Sequence, residues 1–132
     1  MTRLLLDTHI WLWGLLEPER ISARVATALE SKDSELWLSP VSIWEVVVLH
    51  QKRRIGLSGD IETWLDQALR KRPLREAPVT YEVAREMGRL KLPHRDPADG
   101  FLAATARVFD LTLITADEHL LKVRGIRVLA NR

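Results

Sequence analysis

At 132 residues, with 46% hydrophobic and 29% charged side chains, the chain has the usage of a single globular domain spanning 1–132, which excludes a disordered segment and leaves no room for a second domain. Cysteine is absent, which excludes a disulfide framework, a thiolate nucleophile and a thiolate-bound zinc. The net charge of +2, from 20 basic and 18 acidic residues, is too small to argue by itself for a polyanionic partner.

Taken in order, Arg3 to Leu6 is a short apolar run that predicts a strand, and the spacing of Ile10, Trp13 and Leu16 predicts a helix from about Thr8 that Pro18 ends. Ile21 to Leu29 predicts a second helix, with Val25 and Ala28 on one face, and Glu35 to Leu38 a second strand. Ser39-Pro40 is a cap followed by proline at the first helical position, opening a helix through about Gln51. Gly56 and Gly59 mark a loop before an amphipathic helix over Ile61 to Leu69, with Trp64, Leu65 and Ala68 inward. Leu74 to Val79 is a weak strand, and Thr80 to Leu90 a helix. Asp96-Pro97-Ala98-Asp99 is a helix start leading into Phe101 to Phe109; Leu111 to Thr115 and Ile126 to Leu129 close the series as strands. Strands alternating with helices imply an α/β fold, a mainly parallel sheet with helices on both faces. Three leucines before Asp7 are too few for a signal peptide, and no run reaches membrane-span length, so a soluble cytoplasmic protein without membrane contact is expected.

The acidic residues carry the chemistry. Asp7 follows the first strand directly and Asp117 lies two residues after Thr115, so in a parallel sheet both fall on the carboxyl edge, where open α/β folds bind their ligands. Glu45 has Val41, Ser42, Val48 and Leu49 as its helical neighbours, none of them basic, and apolar residues flank it. A carboxylate in such surroundings takes up a proton or finds a cation. Asp96 and Asp99 sit at the cap and in the first turn of one helix, where satisfying free amides accounts for acids as readily as chemistry does; Asp117 could likewise cap the turn after it. Together Asp7, Glu45, Asp99 and Asp117 form a set of hard oxygen donors suited to Mg2+ or Mn2+, ions that serve phosphodiester hydrolysis. With those four acids set aside, 20 basic residues stand against 14 acidic ones, a balance of +6 that could attract a phosphate backbone, with Lys52-Arg53-Arg54, Arg70-Lys71-Arg72 and Arg89-Lys91-His94-Arg95 as candidate contacts or, equally, solvated helix ends and loops.

Leu5-Leu6-Asp7-Thr8-His9 with Trp13, Ser39-x-x-Ser42-Ile43-Trp44-Glu45, Leu92-Pro93-His94-Arg95-Asp96-Pro97-Ala98-Asp99 and Thr115-Ala116-Asp117 follow one another in an order that resembles the PIN-domain nucleases, and within them the VapC-type toxins of toxin-antitoxin pairs. The resemblance covers the whole chain. It implies a three-layer α/β/α sandwich and a magnesium or manganese site built from Asp7, Glu45, Asp99 and Asp117, with Asp96 as a possible helper and Thr8 and Thr115 supporting. It further implies an RNA substrate cut to leave a 5′-phosphate, a cognate antitoxin whose segment covers the cleft, and a homodimer. Gly100 departs from the pattern, because many relatives carry a bulky, often basic residue there.

Among the five tryptophans, Trp37 and Trp64 suit core positions, while Trp11, Trp13 and Trp44 flank the proposed acidic edge and could meet RNA, the antitoxin or a dimer mate, with core packing the default role of each one. Two other readings stand beside the nuclease: a PIN fold that binds RNA or protein without cutting, and a receiver-like signalling domain. The receiver fits poorly, since Asp7 is followed by Thr8-His9 and Leu36-Trp37-Leu38 leads to Ser39-Pro40 rather than to an aspartate.

Overall fold

The computed structural model describes residues 1–90, 92 and 96–132. Its centre is a five-stranded sheet of β1 (Thr2–Leu6), β2 (Ser34–Leu38), β3 (Arg75–Glu76), β4 (Thr112–Thr115) and β5 (Arg127–Ala130), in the order β3-β2-β1-β4-β5. Every neighbouring pair is parallel. β1 takes the middle because Leu4, Leu5 and Leu6 are apolar to both faces, as a strand covered on both sides requires. Leu4 and Leu6 pack with Leu36, Leu38 and Ile114 under α1 (Thr8–Leu16), α2 (Ala23–Glu30), α3 (Pro40–Gln51) and α4 (Ile61–Arg70). Leu5, Trp37 and Leu113 face the other way, toward α6 (Pro97–Val108) and α7 (Glu118–Leu121), with α5 (Tyr81–Arg89) packed on α6. The period-two alternation of strand side chains thus divides one apolar run between two cores, giving the sandwich.

Several boundaries differ from the sequence expectation. The third strand shrinks from Leu74–Val79 to Arg75–Glu76, because Pro73 and Pro78 bracket it and Pro78 brings no amide to the ladder; one further bond, Ala77 N to Leu38 O at 2.9 Å, ends the pairing. The second helix begins at Ala23 rather than Ile21, since Ser22 is its cap and accepts from Val25 N. Asn131 fixes the chain just before that helix, accepting from Ser22 N at 2.7 Å and donating to Arg20 O at 2.9 Å.

α6 packs on the sheet's core through Ala103 and Ala106, small enough to let strand and helix approach closely, and Ala98 and Ala104 are buried on its other sides. Gly100 belongs to the same packing. A Cβ there would lie 2.8 Å from Met87 Cε and 3.1 Å from Leu92 Cδ1, so the departure from the bulky residue of many relatives matches the close approach of α5. The two helices are also tied by charge: buried Glu86 pairs with Arg89 on its own helix and with Arg107 of α6, each at 3.0 Å. No helix among the described residues is long and apolar enough to cross a membrane.

Candidate active site

β1, β2 and β4 all end on one edge of the sheet, and β1 has its partners β2 and β4 on opposite sides, making this the switch point of the topology. Asp7 leaves β1 here. It occupies the cap position of α1, yet its side chain makes no cap hydrogen bond. Instead Oδ2 accepts the Thr115 hydroxyl at 2.6 Å, across the β1–β4 boundary. Burial, leaving Asp7 only 7% exposed, pushes its carboxyl up to about 6; the Thr115 bond pulls down and the Asp99 charge pushes up again.

Glu45 arrives from α3, one and a half turns beyond the Ser39-Pro40 start. Its Oε1 accepts the hydroxyl of Thr8, whose Oγ1 also lies 2.8 Å from Ser42 Oγ. Thr8 has one hydrogen to give, so donation to Glu45 leaves it accepting from Ser42. Partial burial is the main reason the Glu45 carboxyl is pushed up to about 7; Thr8 opposes this, and the charges of Asp7, Asp96 and Asp99 add to it. Ser42 is a supporting group to which the sequence motif alone gave no role, although its place three residues before Glu45, on the same helical face, was a usable signal.

Asp99, 8% exposed, stands in the first turn of α6 and is felt electrostatically by both Asp7 and Glu45. Asp96 caps the same helix, accepting from Ala98 N at 3.0 Å, so its capping role is met, while its charge still reaches Glu45. Asp117 is also a cap: Oδ1 accepts from His119 N at 2.7 Å and Leu120 N at 3.4 Å. Its backbone amide donates to the same Thr115 hydroxyl oxygen that serves Asp7. Asp7, Glu45 and Asp99 are therefore within mutual electrostatic reach, and Asp117 joins them through Thr115 with its carboxylate turned to α7.

Among the described residues no three His, Asp or Glu side chains are gathered tightly enough to hold one ion between them. The donor set nonetheless suits a hard dication. It consists of oxygens, two of its carboxylates are buried, and both Asp7 and Glu45 are raised by burial together with like charge, a stress that a divalent cation relieves.

Of the two readings of the basic clusters, Lys71, Arg72 and Arg89 take the one without phosphate contact. Lys71 and Arg72 border a hollow with Met1 and Ser34, at the amino ends of the strands and thus on the edge opposite the acids. Arg89 is taken up by Glu82 and Glu86. Lys91, Pro93, His94 and Arg95 lie outside the described residues. Trp11 is buried against Trp64, with ring centroids 6.0 Å apart, and Trp13 is half-buried beneath Arg20 at 4.1 Å, so neither is a free face at the acidic edge. Trp44 is different, being 59% exposed.

An all-parallel sandwich with buried acids at its topological switch point defines an α/β protein whose ligand site is a carboxylate cluster. The PIN domain model matches residues 4–126. Ribonuclease VapC22 of Mycobacterium tuberculosis is 34% identical over 123 residues, covering 91% of each chain. Among solved structures, VapBC2 from Rickettsia felis bound to a DNA fragment from its promoter superposes with a TM-score of 0.73 at 14% identity, over 98% of both chains. DNA-bound VapBC from Salmonella typhimurium gives the same TM-score, 0.73, at 17% identity over 100% of both. The chain belongs to the PIN-domain family and is a homologue of a VapC ribonuclease. The receiver-like alternative is overturned by this match.

Proposed function

We propose that the protein is a magnesium- or manganese-dependent endoribonuclease that hydrolyses RNA phosphodiesters and acts as the toxin of a toxin-antitoxin pair in the cytoplasm. The observation that carries this is the buried carboxylate group around Asp7, set beside 34% identity to a ribonuclease over almost the whole chain. In this reading Asp7, Glu45, Asp99 and Asp117 hold the ion. Thr115 and Thr8 orient Asp7 and Glu45 by their hydroxyls, and Asp96 keeps the first turn of α6 in place beneath Asp99. When bound, the divalent ion supplies an activated water and neutralises charge on the scissile phosphate. The amides of His119 and Leu120 both bond Asp117 Oδ1, so Oδ2 is the oxygen that would serve the ion while the Asp117 amide stays on Thr115. VapBC-5 from Mycobacterium tuberculosis is a member of the VapBC family of toxin-antitoxin systems, which supports a cognate antitoxin here, and a homodimer is the family expectation.

The test is cleavage of RNA with magnesium and then with chelator. Cutting should vanish on chelation and in Asp7→Ala or Asp99→Ala. Metal-independent cutting, or full activity in both variants, would overturn the assignment, whereas a folded wild type that binds RNA or protein but cuts nothing would favour the binding PIN fold. The toxin role is checked separately: expression alone should arrest growth, and co-expression of a small protein encoded alongside should relieve it.

A further inference from the structure

Three of the five tryptophans, Trp11, Trp37 and Trp64, are buried, and Trp13 is half-covered by Arg20. Trp44 alone among them turns most of its surface to solvent, at 59%. Leaving so large an apolar side chain exposed forfeits the stabilisation its burial would bring, and its position adds to the interest. Trp44 is the residue before Glu45, so it emerges about 100° around the helix from a carboxylate assigned to the ion.

Beside its ring lies a slot of about 410 Å³. Val41 and Trp44 from the first turns of α3 form one wall, Pro97 and Phe101 from the first turns of α6 the other, and Val79 lies at its border. The two helices that make the slot are the two that carry Glu45 and Asp99. No lining residue carries a charge, whereas the adjoining cluster is acidic. A neutral, planar, apolar-faced group attached to an anion that the cluster's ion would hold meets both halves of this surface. A nucleobase next to a scissile phosphate is such a group, and every base offers a π face to stack on tryptophan.

We infer that the slot between α3 and α6 receives the nucleobase flanking the scissile phosphate, with Trp44 stacking on it, so that Trp44 is a specificity-determining residue that chooses where a single strand is cut. The inference rests on the ribonuclease reading. Apart from the Trp44 indole N–H the lining side chains carry no hydrogen-bonding group, so the slot reads stacking strength more than base edges and favours purines over pyrimidines without demanding one base.

The experiment uses the full-length protein and a single-stranded RNA oligonucleotide that it cuts at one site, with an abasic nucleotide moved one position at a time past the cut. For the wild type, the abasic nucleotide at one flanking position should lower kcat/KM by roughly ten- to hundredfold, in line with stacking at a protein aromatic, and elsewhere have little effect. In Trp44→Ala that position dependence should vanish, and Trp44→Phe should keep part of it. If Trp44→Ala does not fold, Trp44→Leu and Trp44→Phe carry the same comparison. An undiminished abasic effect in Trp44→Ala or Trp44→Leu overturns the inference. So does an altered self-association or antitoxin binding with unchanged base preference, which would give the face to a protein contact. A wild type that cuts no RNA fails the ribonuclease reading itself, whereas cutting that ignores the abasic position fails only the slot.

Discussion

Thr115 donates its hydroxyl hydrogen to Asp7 at 2.6 Å, joining residues 108 positions apart at the boundary between β4 and β1. The same oxygen accepts the Asp117 amide at 3.0 Å, so one buried side chain orients one acid and anchors the backbone of another. Thr115→Val keeps the shape and removes both bonds. It should cost about 1–2 kcal/mol of stability, read by thermal or denaturant unfolding, and lower kcat/KM by roughly tenfold or more because the Asp7 carboxylate loses its fixed orientation. Thr115→Ser, which restores the hydroxyl, should recover most of the activity.

Asp7 itself should show function and stability opposed. A carboxyl raised from 3.8 to about 6 by burial opposes folding, when ionised, by up to roughly 3 kcal/mol. Asp7→Asn retains an oxygen to accept from Thr115 and carries no charge. In chelator near pH 8 it should therefore unfold at a higher temperature than the wild type, while cleavage with magnesium is abolished. A less stable, inactive Asp7→Asn would show that the charge is not what strains the fold.

The same shifts set a pH dependence. Because the folded-state values of Asp7 and Glu45, about 6 and about 7, lie above their ordinary ones, the folded protein binds more protons than the unfolded chain between roughly pH 4 and pH 7. The contribution of these two groups to stability is complete below that window and is lost as pH rises through it. With chelator, Asp7→Asn should consequently lose less stability than the wild type between about pH 5 and pH 8. Manganese should raise the melting temperature more at about pH 8 than at about pH 5, since at the lower pH protons compete for the same oxygens. Equal shifts at both values would argue that the ion binds elsewhere.

Much of this was legible in the residues because both strand and site obey short-range rules. Leu4-Leu5-Leu6 announces a strand buried on two faces, Ser39-Pro40 a helix start, and an acid just past a parallel strand its own location on the carboxyl edge. What was not legible depended on contacts distant in the chain. That Asp7 would decline its cap and turn to Thr115 needed the β1–β4 pairing. That Gly100 faces Met87 needed the packing of α5 on α6, and that Trp11 keeps its default place in the core while Trp44 does not needed the partners each one meets, Trp64 for the first. Arg70-Lys71-Arg72 was a plausible phosphate contact by composition alone, and only the direction of α4 sends Lys71 and Arg72 to the far edge of the sheet.

Asp117 offers the sharpest separation of structural from chemical roles, because one carboxylate oxygen, Oδ1, is engaged as a cap while the proposed chemistry needs the other for the ion. Asp117→Asn keeps an oxygen for the His119 and Leu120 amides, so it should fold with wild-type stability to within about 0.5 kcal/mol. Asp117→Ala removes the acceptor and should cost about 1 kcal/mol. Were capping the only role, activity would follow stability and Asn would be the active variant. If Asp117 binds the ion, both variants lose activity by roughly tenfold or more at saturating magnesium, and the manganese concentration giving half-maximal cleavage rises in both, despite their different melting temperatures.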